Sequence, residues 1–388
     1  PITHEPDLPA MVAAAVRAGR LCATTETAAG VAEAEVVVVL VPLDVDEQNQ
    51  PRFGPLDAAF AAIGRGLRPG ALVLLETTVP VGTSRGRFLP MLEAAGRRCG
   101  EDFFFAFSPE RVQSGRIARD LATYPRIVGG IDAASAERAA AFYAENFGVP
   151  ATVLASAEAA EFCKLAESIY RDVNIALANE LARYATAHGI DIHEVLPAAN
   201  SQPQSHIHRP GLGVGGHCIP VYPYFLTGDA DEATLTLTAR AINDGMPDYA
   251  ADLLADALGG LAGRRVLVLG LTYRPGVRET AHSPALALAE VLRGRGAVVA
   301  GHDPLLDGEA VSALGLTPGA TDGSWQADAL VLHTADPAYR ALDLRAIPGL
   351  RAVLDCAGVL DPSSVAGHGV TYLSIGRPSV RAEVEVGA

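Results

Sequence analysis

Apolar and polar positions alternate along this chain in blocks that read as strand, helix, strand. Residues 35–41, EVVVVLV, form a continuous β-branched run closed by Pro42, the pattern of a strand buried on both faces of a parallel sheet. Further strands are predicted at 71–75, 102–107, 126–128 and 152–154, and helices at 11–19, 56–67, 85–95 and 133–146. That alternation predicts a doubly wound α/β domain. Residues 157–188 then read as one long amphipathic helix, with Glu161, Lys164, Ser168 and Arg171 at spacings of three and four and therefore on one face. Helices are predicted at 190–199 and 232–258. A second α/β region opens with VLVLG at 266–270 and continues with strands at 297–300, 329–333 and 352–355.

Three loops carry candidate chemistry. ETTVPVGTSR places Thr77 and Thr78 directly after a strand, and SPERVQSG places Glu110 and Arg111 after another; carboxyl ends of strands are where such sheets bind ligands. Ordinary turn chemistry also accounts for either loop taken alone. The third runs through HIHRPGLGVGGHCIPVYPYFL, where Cys218 follows Gly211, Gly213, Gly215 and Gly216 and precedes Pro220 and Pro223. Glycine lets the backbone approach a ligand closely, so this is a fitting place for a nucleophile. Lys164 is its candidate partner. It is the single lysine among 30 basic residues, and only an ammonium is a compact charge whose pKa moves readily on burial. The plainer reading is a lysine on a solvated helix face. Gly270, after a strand and beside Tyr273, Arg274 and Arg278, suits an anionic ligand.

Composition narrows the functional classes. A chain of 388 residues with 49% hydrophobic and 19% charged residues is globular and has room for two or three domains. A net charge of −15 argues against a nucleic-acid or membrane-surface partner. No apolar run is long enough to span a bilayer. Five scattered cysteines without CxxC spacing suggest reduced thiols and a cytoplasmic protein. His206, His208 and His217 fit no common zinc arrangement, so no metal is expected. The chain opens on PITHEPDLPAM, which reads like the middle of a domain, and a preceding N-terminal segment is expected.

GVGGHCIPVYPYFL, EFCKLAESIYRDVNIALANELA, ETTVPVGTSR, SPERV and GLTYRPGVRETAHSPAL, taken together, closely resemble the UDP-glucose/GDP-mannose dehydrogenase family. The likeness is nearest to the UDP-N-acetylmannosamine and UDP-N-acetylglucosamine 6-dehydrogenases and extends from residue 1 to about 377. It implies two Rossmann-like domains joined by a long central helix and a helical dimerisation region. The corresponding segments are 1–155 for NAD, with the first βαβ unit and its glycine fingerprint missing, 156–258 for the central helical region, and 259–388 for the UDP-sugar. It implies an NAD-dependent enzyme that oxidises a sugar C6 alcohol twice to a uronate. Cys218 would form a thiohemiacetal and then a thioester, Lys164 would stabilise the oxyanion, and Glu110 would be the base with water held by Thr78. Val41, Pro42, Thr77, Thr78 and Glu110 would hold NAD. Arg111, Val112, Lys164, Ser168, Arg171, Arg209, Gly215, Tyr273 and Arg274 would line the sugar nucleotide. A homodimer is implied as well.

The chain departs from the family pattern at several positions. Ser168 replaces an oxyanion-binding asparagine, which makes Ser168 a candidate catalytic residue, and Tyr222 replaces an aspartate near the thiol. Gln204, Ala281 and Ala357 stand where basic residues are common. These changes motivate two alternatives: a member that oxidises once or epimerises with bound NAD, and a silent nucleotide-sugar binding protein.

Overall fold

The computed structural model describes residues 5, 7–227 and 233–380. The chain divides into two compact units, Pro1–Ile169 with Val221–Ala233, and Tyr170–Pro220 with Thr234–Ala388.

In the first unit, strands β1 (Val36–Val39), β2 (Leu72–Leu75), β3 (Phe104–Phe107), β4 (Arg126–Gly130) and β5 (Ala151–Val153) lie side by side in sequence order. All pairings are parallel except β3 with β4. The two-residue period of β2 divides the core. Val73 and Leu75 pack with Phe60, Phe88, Phe105 and Phe107 on one face, while Leu72 and Leu74 pack with Ala106, Val128 and Tyr143 on the other. Phe60 and Phe88 are stacked at 4.0 Å, and each fully buried ring of this kind contributes roughly 1.5–3 kcal/mol.

Two expectations are corrected by the structure. The strand at 35–41 is shorter and is not buried on both faces: among the described residues β1 pairs only with β2, and Val38 is exposed. The helix at 85–95 opens as a π-helical turn, Ser84–Phe88, before the α-helical Leu89–Glu93. Pro90 has no N–H to give to the preceding turn and its ring crowds that carbonyl, which a wider turn relieves. Short helices at Thr27–Glu33 and Ile117–Thr123 were not anticipated.

In the second unit the order is β11-β10-β9-β6-β7-β8, all parallel, with β6 (Arg265–Leu269), β7 (Val298–His302), β8 (Thr317–Pro318), β9 (Ala329–Leu332), β10 (Ala352–Asp355) and β11 (Thr371–Ser374). The two outermost strands, β8 and β11, were not predicted: β8 has only two residues, and β11 reads Thr-Tyr-Leu-Ser, without the continuous apolar run of β6 or β9. The helix at 232–258 is two helices, Thr234–Asp244 and Met246–Leu258, broken at Gly245 ahead of Pro247; Glu232 lies outside the described residues. Strand order reverses between β6 and β9, and the crevice at such a reversal is where open α/β sheets take ligands. Gly270 is required there. Its φ is 85°, and a Cβ would lie 2.1 Å from Thr334 Oγ1. The helix Ala157–Ala187 is continuous, with Ile169 the last residue of its first-unit part.

Candidate active site

In the first unit the carboxyl ends of three strands are tied to one another and to the long helix. Thr77 Oγ1 donates to the Val41 carbonyl at 2.8 Å, linking the ends of β2 and β1. The Glu110 N–H donates to the Glu76 carbonyl at 3.1 Å, linking β3 to β2. Lys164 Nζ donates to the Glu110 carbonyl at 2.5 Å and is itself buried. Thr78 is buried beside Thr77, and Pro42 is exposed. The Glu110 carboxylate accepts from the Val112 N–H in its own turn. Arg111 pairs with Glu167 at 2.6 Å and donates to the Pro125 carbonyl.

Ser168 is buried, and its hydroxyl donates to the Lys164 carbonyl at 3.2 Å. Its single proton is therefore spent within the helix in this arrangement. Behind the loop, Tyr143 donates to Glu76 at 2.6 Å; burial raises the Glu76 pKa above 4.5, against the lowering effect of that hydrogen bond.

In the second unit the glycine segment lies against the loop after β6. A Cβ on Gly215 would meet Tyr273 Cβ at 2.6 Å and the His282 carbonyl at 3.0 Å, and the Gly216 N–H donates to the Ala281 carbonyl at 2.9 Å. Gly213 approaches the Asn243 carbonyl in the same way. Glycine at these positions thus serves close packing of the segment against Tyr273 and neighbouring carbonyls. Cys218 follows, half-buried, and His217 Nε2 is 2.7 Å from the Glu279 carboxylate. Tyr273 has a raised pKa, chiefly from burial, and the Arg274 guanidinium is 5.7 Å from its ring centre. Burial raises the pKa of Cys99 to about 11 and pushes those of Cys163 and Cys356 up, so those three are poor nucleophiles.

Sequence reasoning missed the asparagines that hold this segment. Asn174 accepts from the His208 N–H and donates to the His206 carbonyl, both at 2.8 Å. Asn200 bonds both backbone groups of Ile207, and Asn179 accepts from the Gly211 N–H at 2.9 Å while donating to Asn243. Asp172, fully buried, accepts from Arg240 at 2.7 Å and from Asn243. The signal was present in the polar positions 172 and 179, seven apart on a helix and therefore on one face.

Beside the segment is a cavity of about 480 Å³ lined by His193, His208, Arg209, Ala357 and Arg377, among others. Burial lowers the pKa of His193, helped by the charge of Arg377, and lowers that of His208, helped by Arg171. The local field is positive even though Arg377 pairs with Asp191 at 2.9 Å. Such a cavity suits an anion. Val41, Pro42, Thr77, Thr78, Glu110, Arg111, Val112, Lys164 and Ser168 thus fall in the first unit, and Arg171, Arg209, Gly215, Cys218, Tyr273 and Arg274 in the second. Tyr222 packs in the first unit's core, its ring 5.5 Å from that of Phe225.

Three family models match this chain: the NAD binding domain of the UDP-glucose/GDP-mannose dehydrogenase family over residues 1–147, its central domain over 158–245 and its UDP binding domain over 267–362. The UDP-N-acetyl-D-mannosamine dehydrogenase of Pyrococcus horikoshii is 37% identical over 317 residues, covering 80% of this chain and 73% of that protein. The NDP-N-acetyl-D-galactosaminuronic acid dehydrogenase of Ralstonia solanacearum is 34% identical, covering 93% and 86%. The solved structure of UDP-D-ManNAc dehydrogenase from Pyrococcus horikoshii superposes with a TM-score of 0.87 at 33% identity, over 98% of this chain and 89% of that one. With parallel strand ends that suit a dinucleotide in one unit and a positive cavity in the other, the chain belongs to the UDP-glucose/GDP-mannose dehydrogenase family and is an NAD-dependent oxidoreductase.

Proposed function

We propose that the protein oxidises the C6 alcohol of a UDP-N-acetylhexosamine to the uronate in two successive hydride transfers. Segment 1–155 serves NAD, 156–258 carries the lysine and the thiol, and 259–388 serves the UDP-sugar. Bound NAD supplies the hydride acceptor for each oxidation. The strand-end loops fit it: Val41, Pro42, Thr77 and Thr78 stand on the edge where parallel sheets bind dinucleotides, and the Thr77 hydroxyl joins two of those ends.

Glu110, with a water on Thr78, takes the C6 hydroxyl proton. Lys164 stabilises the oxygen that carries negative charge, and it does so without a proton from Ser168, which is given to the helix. The aldehyde cannot lose a hydride until a nucleophile has added to its carbon. The Cys218 thiolate adds there to form a thiohemiacetal, whose oxidation leaves a thioester. Water then attacks the thioester carbon, the C–S bond breaks, and the thiolate returns with the uronate released. Arg111, Val112, Arg171, Arg209, Gly215, Tyr273 and Arg274 contact the sugar nucleotide, and the positive cavity at Arg209 and Arg377 takes its anionic end.

The observation that carries this reading is the half-buried thiol on a glycine segment that lies against Tyr273, in a chain matched to the family's UDP binding domain. The relatives' names support an N-acetylhexosamine over a hexose. A thiol nucleophile that must stay reduced supports a reducing compartment, the cytoplasm, for the reaction. Among the described residues no helix is long and apolar enough to cross a membrane. A homodimer is supported by Tyr170, Leu177 and Tyr184, spaced seven residues apart on the long helix and 57%, 44% and 61% exposed.

The test is product and cofactor stoichiometry with UDP-N-acetyl-D-mannosamine, UDP-N-acetyl-D-galactosamine and UDP-glucose. Two NADH per uronate are expected, and Cys218→Ser should make no uronate while releasing or retaining the aldehyde. One NADH or none per sugar, or undiminished uronate from Cys218→Ser, would overturn the covalent route.

A further inference from the structure

Glu161 is a buried carboxylate with no direct part in the proposed reaction. It sits one helical turn before Lys164 and is fully shielded from solvent. Its Oε2 accepts from the Gly82 N–H at 2.6 Å and its Oε1 from the Ser84 N–H at 2.8 Å. Gly82 is in the left-handed region at φ 85°, at the turn where the loop after β2 enters the π-helical Ser84–Phe88. Among the described residues no cation forms an ion pair with Glu161; the nearby Arg85 pairs with Glu158 instead. A charge buried so completely is costly, and the two backbone donors at a helix start are what offset it.

Those two bonds complete a pattern. The end of β1 is held through Thr77, the end of β3 through Lys164, and the loop after β2 through Glu161, the last two on the same helix three residues apart. Resting on the reading that Lys164 and Thr78 serve the reaction, we propose that Glu161 is a positioning residue for catalysis. It clamps the Gly82–Ser84 turn to the Lys164 helix, so that Thr77, Thr78 and the ammonium keep one mutual geometry during hydride transfer. The plainer role would be to cap the turn for stability alone.

The two roles differ in what they move. Glu161→Gln keeps the side-chain volume but turns one accepting oxygen into a donor facing a backbone N–H. Glu161→Asp keeps the charge but is too short to reach both donors. The full chain is assayed with whichever of the three UDP-sugars above the wild type turns over. In Glu161→Gln, kcat should fall by about 10²-fold, the loss that a misplacement near 1 Å brings. KM for the sugar nucleotide should change less than about twofold. The isotope effect with C6-deuterated substrate should rise, and amide exchange at Gly82 and Ser84 should quicken. Glu161→Asp should recover part of kcat.

Wild-type kcat and isotope effect in a folded Glu161→Gln protein would overturn the proposal. So would losses in both variants that only track the fraction unfolded, for Glu161 would then be a stability residue. Lys164→Met is the separate control. If it turns over normally, the reading of the site fails; if it is inactive while Glu161→Gln is normal, that reading stands and only the positioning role falls.

Discussion

Burial, more than charge pairing, sets the chemistry of individual residues in this protein. His333, at the carboxyl end of β9, has both ring nitrogens buried without a hydrogen-bond partner among the described residues. Burial lowers its pKa from 6.5 to about 4, with only Asp303 pulling the other way. A depressed histidine contributes stability that is complete above its unfolded value and is lost as pH falls through its folded value. The window therefore runs from pH 6.5 down to about 4 and is worth roughly 3 kcal/mol over its length. His333→Leu removes the group that must charge and the two unsatisfied nitrogens with it. The gap in melting temperature between variant and wild type should widen as pH is lowered from 7.5 to 5; parallel slopes would show that His333 is hydrated. The same physics keeps the Cys99, Cys163 and Cys356 thiols protonated, since burial raises the pKa of each.

At the scale of elements, the glycine segment before Cys218 behaves as a packed surface. Gly215 has no room for a Cβ against Tyr273, whereas a Cβ on Gly211 would meet nothing within 4 Å, and the Gly211 N–H would still reach Asn179. Gly215→Ala must therefore push the segment off the loop after β6, and a shift of that kind costs on the order of 10–10²-fold in kcat. Gly211→Ala should stay within about twofold of wild type by the same argument. Equal effects in steady-state assays of the two would mean that the glycines act through flexibility and not through space. Both glycines stand out in the sequence as part of one rich stretch. Which of them is needed was not legible there, because the obstructing atoms belong to residues 273, 282 and 284.

For the molecule as a whole, a net charge of −15 coexists with a local positive field at Arg171, Arg209 and Arg377. An acidic chain that binds an acidic ligand depends on such focusing, so substrate affinity is expected to weaken with ionic strength. The proposed homodimer belongs at this scale too. Placing a charge in the exposed row, as in Leu177→Arg, should convert a particle of twice the chain mass into one of a single chain by light scattering. A wild type that scatters as a single chain at micromolar concentration would remove the dimer. The two α/β sheets were readable because apolar β-branched runs and turn residues are local features. Strand order was not, since β9 pairs with β6 across intervening β7 and β8.

By itself the sequence determined which residues are candidates for reactive chemistry. A single lysine, a cysteine set among glycines, and threonine and glutamate directly after strands are facts of composition and neighbourhood, and they hold before any folding. Only the tertiary structure decided how those groups are held: the Glu161 carboxylate on the N–H groups of Gly82 and Ser84, the Ser168 proton given to the helix, and the three asparagines on the 206–211 segment. The physical reason is the same throughout. A hydrogen bond between residues far apart in sequence depends on tenths of an ångström of backbone approach, and that distance is set by packing that no local pattern records.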